Sequence, residues 1–385
     1  MNNISKFIKV LLLACLFTSC KLQPLYDYQS GNVLIPVELD WSGTNLESSD
    51  FSGASVWLFP KSSSTRTSSS PIEYKLNDYT GGYIDVAPGD YDVLMFNKTV
   101  TELENIGNVG FRGTDSFETF EYYKKVSAAT LYNDYGGDYS SSVYYKSPDR
   151  LAVESRTLSV TEDMLSYNSL VSVARANRST VMATSKAVQT KYNDLYSGLP
   201  DAMLSLVGVE PVSIVNTKKV SAYVENANNA AEAEMLLTSS PTSVFLHDRS
   251  KSTASGSVLY TLVDSPTYDE DAKSNGTFEV TVRHFGSVVS GASSKADAVD
   301  SKVELLFKLR TNYNNSEYYP LVNDGPFNKG VSAADMDKIY NEVVIDKAAD
   351  GEENEFILPA YDSDDGGFKP GVGGWPDDDI IIPLG

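Results

Sequence analysis

Short apolar segments separated by turn-forming residues recur along most of the chain. Thr277–Arg283 is representative, because its apolar residues Phe278, Val280 and Val282 alternate with polar neighbours. A period of two residues is typical of a β-strand that buries one face and exposes the other to water. The 24 tyrosines, together with abundant Ser, Thr, Asn and Gly, also favour short strands and polar turns over helices. The pattern predicts a mainly β protein.

The predicted strands fall into two groups. We expect two antiparallel β-sandwich domains with a few short helices, over residues 32–165 and 203–385, joined by a connecting segment over 166–202. Ile72–Leu76 and Gly82–Val86 are predicted to form a hairpin. The other predicted strands are Val33–Leu39, Ala54–Pro60, Tyr91–Asn97, Leu151–Val153, Thr157–Val160, Val212–Val215, Val220–Val224, Gly256–Val263, Gly276–Phe285 and Lys302–Leu309.

Three segments have helical features. Leu165–Leu195, in the connecting segment, contains few helix-breaking residues. Asn228–Leu237 is rich in Ala and Glu and begins with asparagines suited to capping a helix. Val331–Val344 has Ser332 as a capping residue with an acidic residue three positions on. We predict short helices at all three.

Residues 1–19 have the composition of a secretory signal peptide. Two lysines precede the apolar run Val10–Phe17, and two small residues stand before Cys20. The run is too short to span a bilayer, which takes about 20 apolar residues. Small residues followed by cysteine resemble a bacterial lipoprotein signal, which implies cleavage before Cys20 and acylation of that residue. Residues 20–31 would then form a lipidated tether, and the acyl chains would hold the protein at a membrane.

The two cysteines and the net charge limit the other possibilities. Cys15 is a rival lipidation site, but cleavage there would leave almost no apolar region, so Cys20 is favoured. After cleavage no disulfide and no cysteine nucleophile is available, so the fold depends on its apolar core. The net charge of -21 argues against nucleic acid as a partner and against adsorption to anionic lipid.

A tyrosine-rich segment between Tyr122 and Tyr145 is predicted to be a long surface loop. Exposed aromatic rings can stack on sugars or form a protein-contact surface, so Tyr122, Tyr123, Tyr144 and Tyr145 are candidate ligand or partner residues. The alternative is that one ring of each Tyr-Tyr pair lies in the core and the other decorates its edge. The sequence leaves both interpretations open.

Residues suited to catalysis are sparse. The chain has two histidines, His247 and His284, and neither lies in a recognisable catalytic motif. His284 is predicted to point to solvent from its strand. Acidic clusters at 362–365 and 377–379 are oxygen-rich and could bind calcium, but the first lacks the downstream Glu of an EF-hand loop. A solvated acidic loop is the favoured interpretation, and calcium binding by the tail is the alternative. We therefore predict a non-enzymatic protein with no catalytic residue, metal or cofactor.

Seven short segments of the chain belong to one recognisable pattern: Asp40-Trp41, Val56–Pro60, Pro88–Asn97, Ser147–Leu151, Lys219–Leu237, Thr281–Gly286 and Gly373–Trp375. Together they resemble fimbrillin-like lipoproteins of Bacteroidetes, in particular the branch that includes fimbrial anchor subunits. The resemblance covers most of the chain after Cys20. It implies two transthyretin-like β-sandwich domains, an outer-membrane location on the cell surface, with the periplasmic face as the alternative, and a role in anchoring or assembling surface fibres by β-strand addition between subunits. It supplies no catalytic residues.

The positions of basic residues favour one kind of subunit. Polymerising fimbrillins are usually cut after an Arg or Lys near the first strand, which opens a groove for a neighbour's strand. Here Lys61 and Arg66 both lie beyond the second predicted strand, so a cut at either would remove two strands. This predicts a base, anchor or accessory subunit that keeps its lipid. The alternative function is a surface glycan-binding lipoprotein that uses exposed tyrosines.

Overall fold

A computed structural model describes residues 31–61, 70–128, 130–139, 141–182, 192, 194–262, 266–271, 273–286, 303–310, 318–322, 342–345 and 356–359. The helices are α1 (Val100–Ile106), α2 (Leu131–Tyr135) and α3 (Asn168–Met182). The strands are β1 (Val33–Glu38), β2 (Ala54–Pro60), β3 (Ile72–Leu76), β4 (Gly81–Val86), β5 (Gly89–Asn97), β6 (Val109–Arg112), β7 (Glu121–Lys124), β8 (Tyr144–Tyr145), β9 (Ala152–Val160), β10 (Val212–Ser213), β11 (Asn216–Val224), β12 (Ala230–Pro241), β13 (Ser243–Phe245), β14 (Ser255–Thr261), β15 (Thr267–Tyr268), β16 (Gly276–His284), β17 (Val303–Leu309), β18 (Tyr318–Val322) and β19 (Glu342–Ile345).

The first sandwich packs two antiparallel sheets against each other. Strands β10-β9-β5-β2-β3 form a five-stranded sheet, and β1 pairs with β4 in a separate two-stranded sheet. Their shared core includes Ile35 and Ile84 from the pair and Val93 from the five-stranded sheet. Val171 of helix α3 and residues from position 192 onward, among them Met203, also belong to this core.

A third layer covers the opposite face of the five-stranded sheet. Strands β13-β7-β6 and helix α1 pack there, so β5 is buried on both faces and reads as a nearly continuous apolar run. Aromatic rings dominate this second core, with Phe111 6.0 Å from Phe96 and 5.7 Å from Phe120 between ring centroids. Offset and edge-on contacts of this kind add to the stability that burial itself provides.

The second sandwich is formed by sheets β15-β16-β11-β19 and β18-β17-β12-β14-β8. Phe278 and Phe307 meet edge to face across its core, with ring centroids 5.2 Å apart. Helix α2 covers the outer face of the five-stranded sheet through Leu131 and Tyr132, which contact Leu306 and its neighbours. Two strand pairs are parallel, β11 with β19 and β8 with β14, and the remaining described pairs are antiparallel.

The fold class predicted from the sequence, a mainly β protein of antiparallel sandwiches, is confirmed, but one pairing is wrong. β3 and β4 are both strands, yet β3 pairs with β2 and β4 pairs with β1. The chain crosses from one sheet to the other at Gly81, whose φ is +139°. A Cβ at this position would lie 2.1 Å from the carbonyl oxygen of Val37, so only glycine allows this close approach.

The prediction of a helix over Asn228–Leu237 is also wrong, because most of it belongs to β12. In this strand Met235 faces the sandwich core while Leu236 faces the layer under α2, so both sides are buried. Packing on two faces overrides the helical preference of Ala, Glu and Leu. The predicted surface loop of tyrosines is likewise wrong, since it contains β7, α2 and β8.

The remaining predictions have mixed outcomes. The helix predicted within Leu165–Leu195 is confirmed over α3. Of the helix predicted at Val331–Val344, the last residues belong to β19 instead, and the others lie outside the described residues. The signal peptide, Cys20, nearly all of the tether and the acidic clusters of the tail also lie outside them. The domain boundaries stay predictions.

Candidate functional site at the first strand

Strand β1 is the part of the molecule on which the predicted subunit type depends. All six of its residues are buried, and it pairs with β4 along its full length. Its end is held on the other side as well, where the amide of Glu38 donates to Leu206 O (2.9 Å) and the amide of Val209 donates to Glu38 O (3.0 Å). At its end, β1 therefore has backbone hydrogen-bond partners on both sides, like an inner strand of a sheet.

The buried Glu38 carboxylate belongs to a partly buried polar group that we call the Arg178 cluster, formed by Glu38, Asp78, Thr80, Arg178 and Tyr196. Arg178 binds Glu38 with two parallel bonds, from Nε to Oε1 (2.8 Å) and from Nη2 to Oε2 (2.9 Å). It also donates through Nη1 to Asp78 Oδ2 (2.6 Å) and through Nη2 to Thr80 Oγ1 (2.9 Å). The hydroxyl of Tyr196 donates to Glu38 Oε1. Two-pronged arginine–carboxylate bonds are among the strongest in proteins.

Burial and charge pairing act in opposite directions in the Arg178 cluster. Burial raises the pKa of the fully buried Glu38 above its ordinary value, while Arg178 and Tyr196 lower it in part. Burial also opposes the charge of Arg178, but its bonds to Glu38 and Asp78 outweigh this and raise the pKa of the guanidinium. Arg178 therefore stays charged. If Arg178 were removed, the negative charge of Glu38 would remain buried without a compensating positive charge.

The start of β1 is tied to the same helix. Asn168, the first residue of α3, donates from Nδ2 to Asn32 O (2.9 Å) and accepts at Oδ1 from the amide of Leu34 (2.8 Å). Ten residues of helix rise about 15 Å, and six residues of strand extend about 20 Å, so α3 and β1 run side by side over a similar length. Asn168 and Arg178 thus hold the strand at its start and at its end.

Lys61, one of the two predicted cutting positions, follows directly after β2. Its Nζ lies 2.9 Å from Asp92 Oδ1. β2 is bonded to β3 on one side and to β5 on the other. A cut after Lys61 would therefore separate an inner strand of the five-stranded sheet from the rest of the chain together with β1. Arg66 lies outside the described residues.

The candidate tyrosines divide in the way that the alternative interpretation predicts. Tyr122 is 0% exposed and Tyr144 is 3% exposed, so the prediction that these two are surface rings is wrong. Tyr122 donates its hydroxyl to Asp149 O (2.8 Å), which satisfies the polar end of a buried ring. Tyr123 and Tyr145 are half-buried. A Cβ at Gly256 would lie 2.3 Å from the Tyr145 ring, so this ring packs closely on the backbone of β14.

His284 is not exposed as predicted but is 1% exposed. His284 lies on the same face of β16 as the buried Phe278 and Val282, so the alternation of the strand itself places it in the interior. The next residue, Phe285, is buried as well, and its ring centroid lies 5.6 Å from that of Tyr122 in the third layer. Nδ1 of His284 accepts from the amide of Gly286 (3.0 Å). Burial, aided by Lys218, lowers the pKa of His284 to about 3, so the ring is neutral at physiological pH.

Two cations with partners in the interior were not identified from the sequence. Arg178 continues the spacing of the buried Val171 and Ala174 on α3, which identifies its face but not its partner. Lys124 is 2% exposed, donates to Ser240 Oγ (3.0 Å) and lies over the ring of Phe285, and burial lowers its pKa well below the usual value. Its flanking residues carry no distinguishing pattern.

Two observations bear on metal binding and membrane insertion. In the described part of the chain, no group of three or more His, Cys, Asp or Glu residues is placed to hold a metal ion. Among the same residues, no helix has the length and apolar character needed to cross a bilayer.

Residues 19–248, more than half of the 385-residue chain, match the family described as Domain of unknown function (DUF5119). The chain belongs to this family. No curated protein matches the sequence of this DUF5119 protein. Its matched region ends just after β13, the strand that completes the third layer of the first sandwich.

Solved structures similar to the DUF5119 protein include fimbrial proteins, as the sequence resemblance predicted. A proposed adhesin from Bacteroides ovatus is 13% identical, with a TM-score of 0.48, over 87% of this chain and 95% of the other. A proposed polysaccharide-binding protein from Bacteroides thetaiotaomicron is 8% identical, with a TM-score of 0.36, over 72% and 76%. The fimbrial anchor protein Mfa2 from Porphyromonas gingivalis is 12% identical, with a TM-score of 0.34, over 71% and 77%.

Proposed function

We propose that this DUF5119 protein is an outer-membrane lipoprotein, acylated at Cys20, that acts as a base, anchor or accessory subunit of surface fibres. Its role would be in fibre assembly or adhesion, with other fibre subunits as its partners. Because the similarities to solved structures are weak, the proposal rests on the chain's own residues. The observation that carries it is the retention of β1 by the Arg178 cluster and Asn168.

Strand addition requires that the accepting subunit lose or displace one of its own strands, because the donor occupies the vacated groove. Displacement of β1 would expose six buried residues and leave Arg178 without its Glu38 carboxylate. Breaking a buried ion pair costs about 3–5 kcal/mol, since it leaves an uncompensated charge. These contacts favour a subunit that keeps its first strand.

The position of Lys61 supports the same conclusion. A cut there would remove β2 as well as β1, and β2 supplies the buried Val56 and Leu58 to the core of the first sandwich. Loss of an inner strand would open the sheet between β3 and β5, which flank β2 on either side. A chain left uncut at Lys61 also keeps the link between its sandwich and the lipid at Cys20, as an anchor requires.

The test is to express the full chain in its native host with a C-terminal tag and to purify it from gently solubilised membranes. Mass spectrometry then gives the N-terminal mass and the co-purifying proteins. A lipidated Cys20 together with fibre subunits is expected, and a Cys20→Ala variant should leave the membrane fraction. A mature N-terminus after Lys61 in isolated fibres would overturn the proposal. Polysaccharide-uptake proteins in place of fibre subunits would indicate glycan capture instead.

A further inference from the structure

Helix α3 has an outward face of unusual composition for this protein. Its exposed residues between 168 and 181 are Ser169, Leu170, Ser172, Val173, Ala176, Asn177, Ser179 and Thr180, and none of them is charged. Exposed helix faces of soluble proteins normally carry charged residues. Charged residues are abundant elsewhere in this chain, which has 31 Lys and Arg and 52 Asp and Glu. A face without charge favours contact with something other than bulk water.

The same part of the chain departs from the overall acidity. Helix α3 contains no Asp or Glu, and its two cations are Arg175 and Arg178, of which Arg178 is paired with Glu38 and Asp78. The whole chain has a net charge of -21. An anionic surface would therefore repel most of the protein more strongly than it repels this helix, since like charges repel.

Apolar side chains stand out from the face. Leu170 is 46% exposed and Val173 is 59% exposed, and their spacing of three residues places them one above the other. They line one side of a groove of about 350 Å³ whose other side is formed by Leu195 and Leu199, with Asp194 also among the lining residues. Two exposed aliphatic residues beside an apolar groove can enter the boundary between headgroups and acyl chains.

The start of α3 lies close to the start of β1, and this position indicates which surface the uncharged face of α3 contacts. Asn168, at the start of α3, is bonded to Asn32 at the start of the first strand. The lipid proposed at Cys20 lies twelve residues earlier in the sequence. A chain of that length reaches at most about 40 Å, so α3 is held near the bilayer that contains the acyl chains. A short tether gives an effective concentration of roughly millimolar, so a weak contact is sufficient.

We propose that the uncharged face of α3, centred on Leu170 and Val173, rests on the membrane surface next to the lipid anchor. The occupant is the bilayer itself rather than a protein. The inference rests on lipidation of Cys20, and goes beyond it by giving the protein a defined orientation. The acidic remainder of the molecule then faces away from the membrane.

The test uses the full lipidated chain reconstituted into vesicles of phosphatidylcholine and phosphatidylglycerol. An environment-sensitive dye is attached to the new thiol of Val173→Cys. The dye labels only this position, because the thiol of Cys20 is blocked by its lipid. The matched control is Val126→Cys, since Val126 is 57% exposed and Val173 is 59% exposed. Lipids that bear a quencher near the headgroup are expected to quench the dye at 173 and to leave the dye at 126 unchanged.

A second pair of variants separates membrane contact from a change in folding. Leu170→Asp is expected to lower the ratio of quenched to unquenched label at 173 by about tenfold or more, because an ionised carboxylate resists leaving water. Val143→Asp, at a residue that is 54% exposed, should have no effect. Both variants should keep the thermal midpoint of the parent protein.

The outcomes distinguish this inference from the proposed function. Equal quenching at 173 and 126, or quenching at 173 that survives Leu170→Asp, would overturn it. A dye at 173 that is shielded in detergent by a second copy or by a co-purified subunit would overturn it in favour of a protein contact. If mass spectrometry shows that Cys20 carries no lipid, the lipoprotein assignment fails first, whereas a lipidated chain without quenching at 173 refutes only the membrane contact.

Discussion

Replacement of Arg178 by methionine tests whether the Arg178 cluster holds the first strand. The variant fills much of the same space but leaves the Glu38 carboxylate, which is 0% exposed, without its two-pronged partner. Removing one member of a buried ion pair costs about 3–5 kcal/mol. We expect a loss of this size in the free energy of unfolding near neutral pH, measured by urea denaturation.

The loss should depend on pH with a definite sign. Burial already raises the pKa of Glu38 above its value in the unfolded chain, and removal of Arg178 raises it further. The native variant then binds a proton more tightly than the unfolded chain does, so protonation stabilises it. The defect of Arg178→Met should therefore be largest near neutral pH and should shrink as the pH falls through the raised pKa of Glu38.

Hydrogen exchange gives the local measurement. The amides of β1 should exchange faster in Arg178→Met, while those of β16 in the second sandwich should not change. Arg175→Met is the matched control on the same helix, and we expect it to change stability by less than about 0.5 kcal/mol. In the double variant Glu38→Leu/Arg178→Met most of the stability should return, because replacing both charges with apolar groups is often nearly neutral. Unchanged exchange in β1, or a double variant as unstable as the single one, would refute the reasoning.

Three further predictions concern other parts of the molecule. Between about pH 6.5 and about pH 3 the unfolded chain takes up a proton at His284 that the native protein does not, so stability decreases as the pH is lowered, by at most about 5 kcal/mol. His284→Asn should reduce this slope in urea titrations at several pH values, and an unchanged slope would contradict the prediction. Gly81→Ala should lower the thermal midpoint more than Gly107→Ala does. A Cβ at Gly81 would clash with backbone atoms, whereas a Cβ at Gly107 would have no atom within 4 Å. Equal midpoints would count against the crossing between sheets at Gly81. Thr99→Ala should cost about 1 kcal/mol in chemical denaturation, because its side chain caps α1 by accepting from the amide of Glu102, and no measurable cost would rule out the cap.

Strands with one exposed face were predictable from the sequence. β16 alternates as expected, with Phe278 and Val282 buried and Glu279 exposed. β12 was not predictable in this way, because it has buried residues on both faces and its composition favours a helix. Its structure depends on distant partners, since it pairs with β14 and β17 and is covered by α2, which lies about 100 residues earlier in the chain and supplies the Leu131 amide to the Glu234 carboxylate. No local pattern contains that contact.

The candidate site was predictable only in part. The order of strands and basic residues was sufficient to predict that a cut after Lys61 removes two strands, and the structure shows where β2 lies in its sheet. The Arg178 cluster depends on Glu38, which is 140 residues away in sequence, and on Tyr196, so its members cannot be paired from spacing alone. The tyrosine pairs show the same limit, since a Tyr-Tyr sequence identifies an alternation but not which ring is buried.

The pairing of β7 with β13 has a consequence for how the protein is made. Tyr122 lies opposite Val244, so the third layer of the first sandwich cannot form completely until residues more than a hundred positions later have been synthesised. Contacts this distant in sequence slow folding, and the unpaired edge of β7 is open to misassociation in the meantime. Because the chain is synthesised from its N-terminus, its first sandwich stays incomplete until β13 has been made, close to residue 248, where the family match ends. Truncation before that point would yield an unfinished sandwich, not a smaller domain.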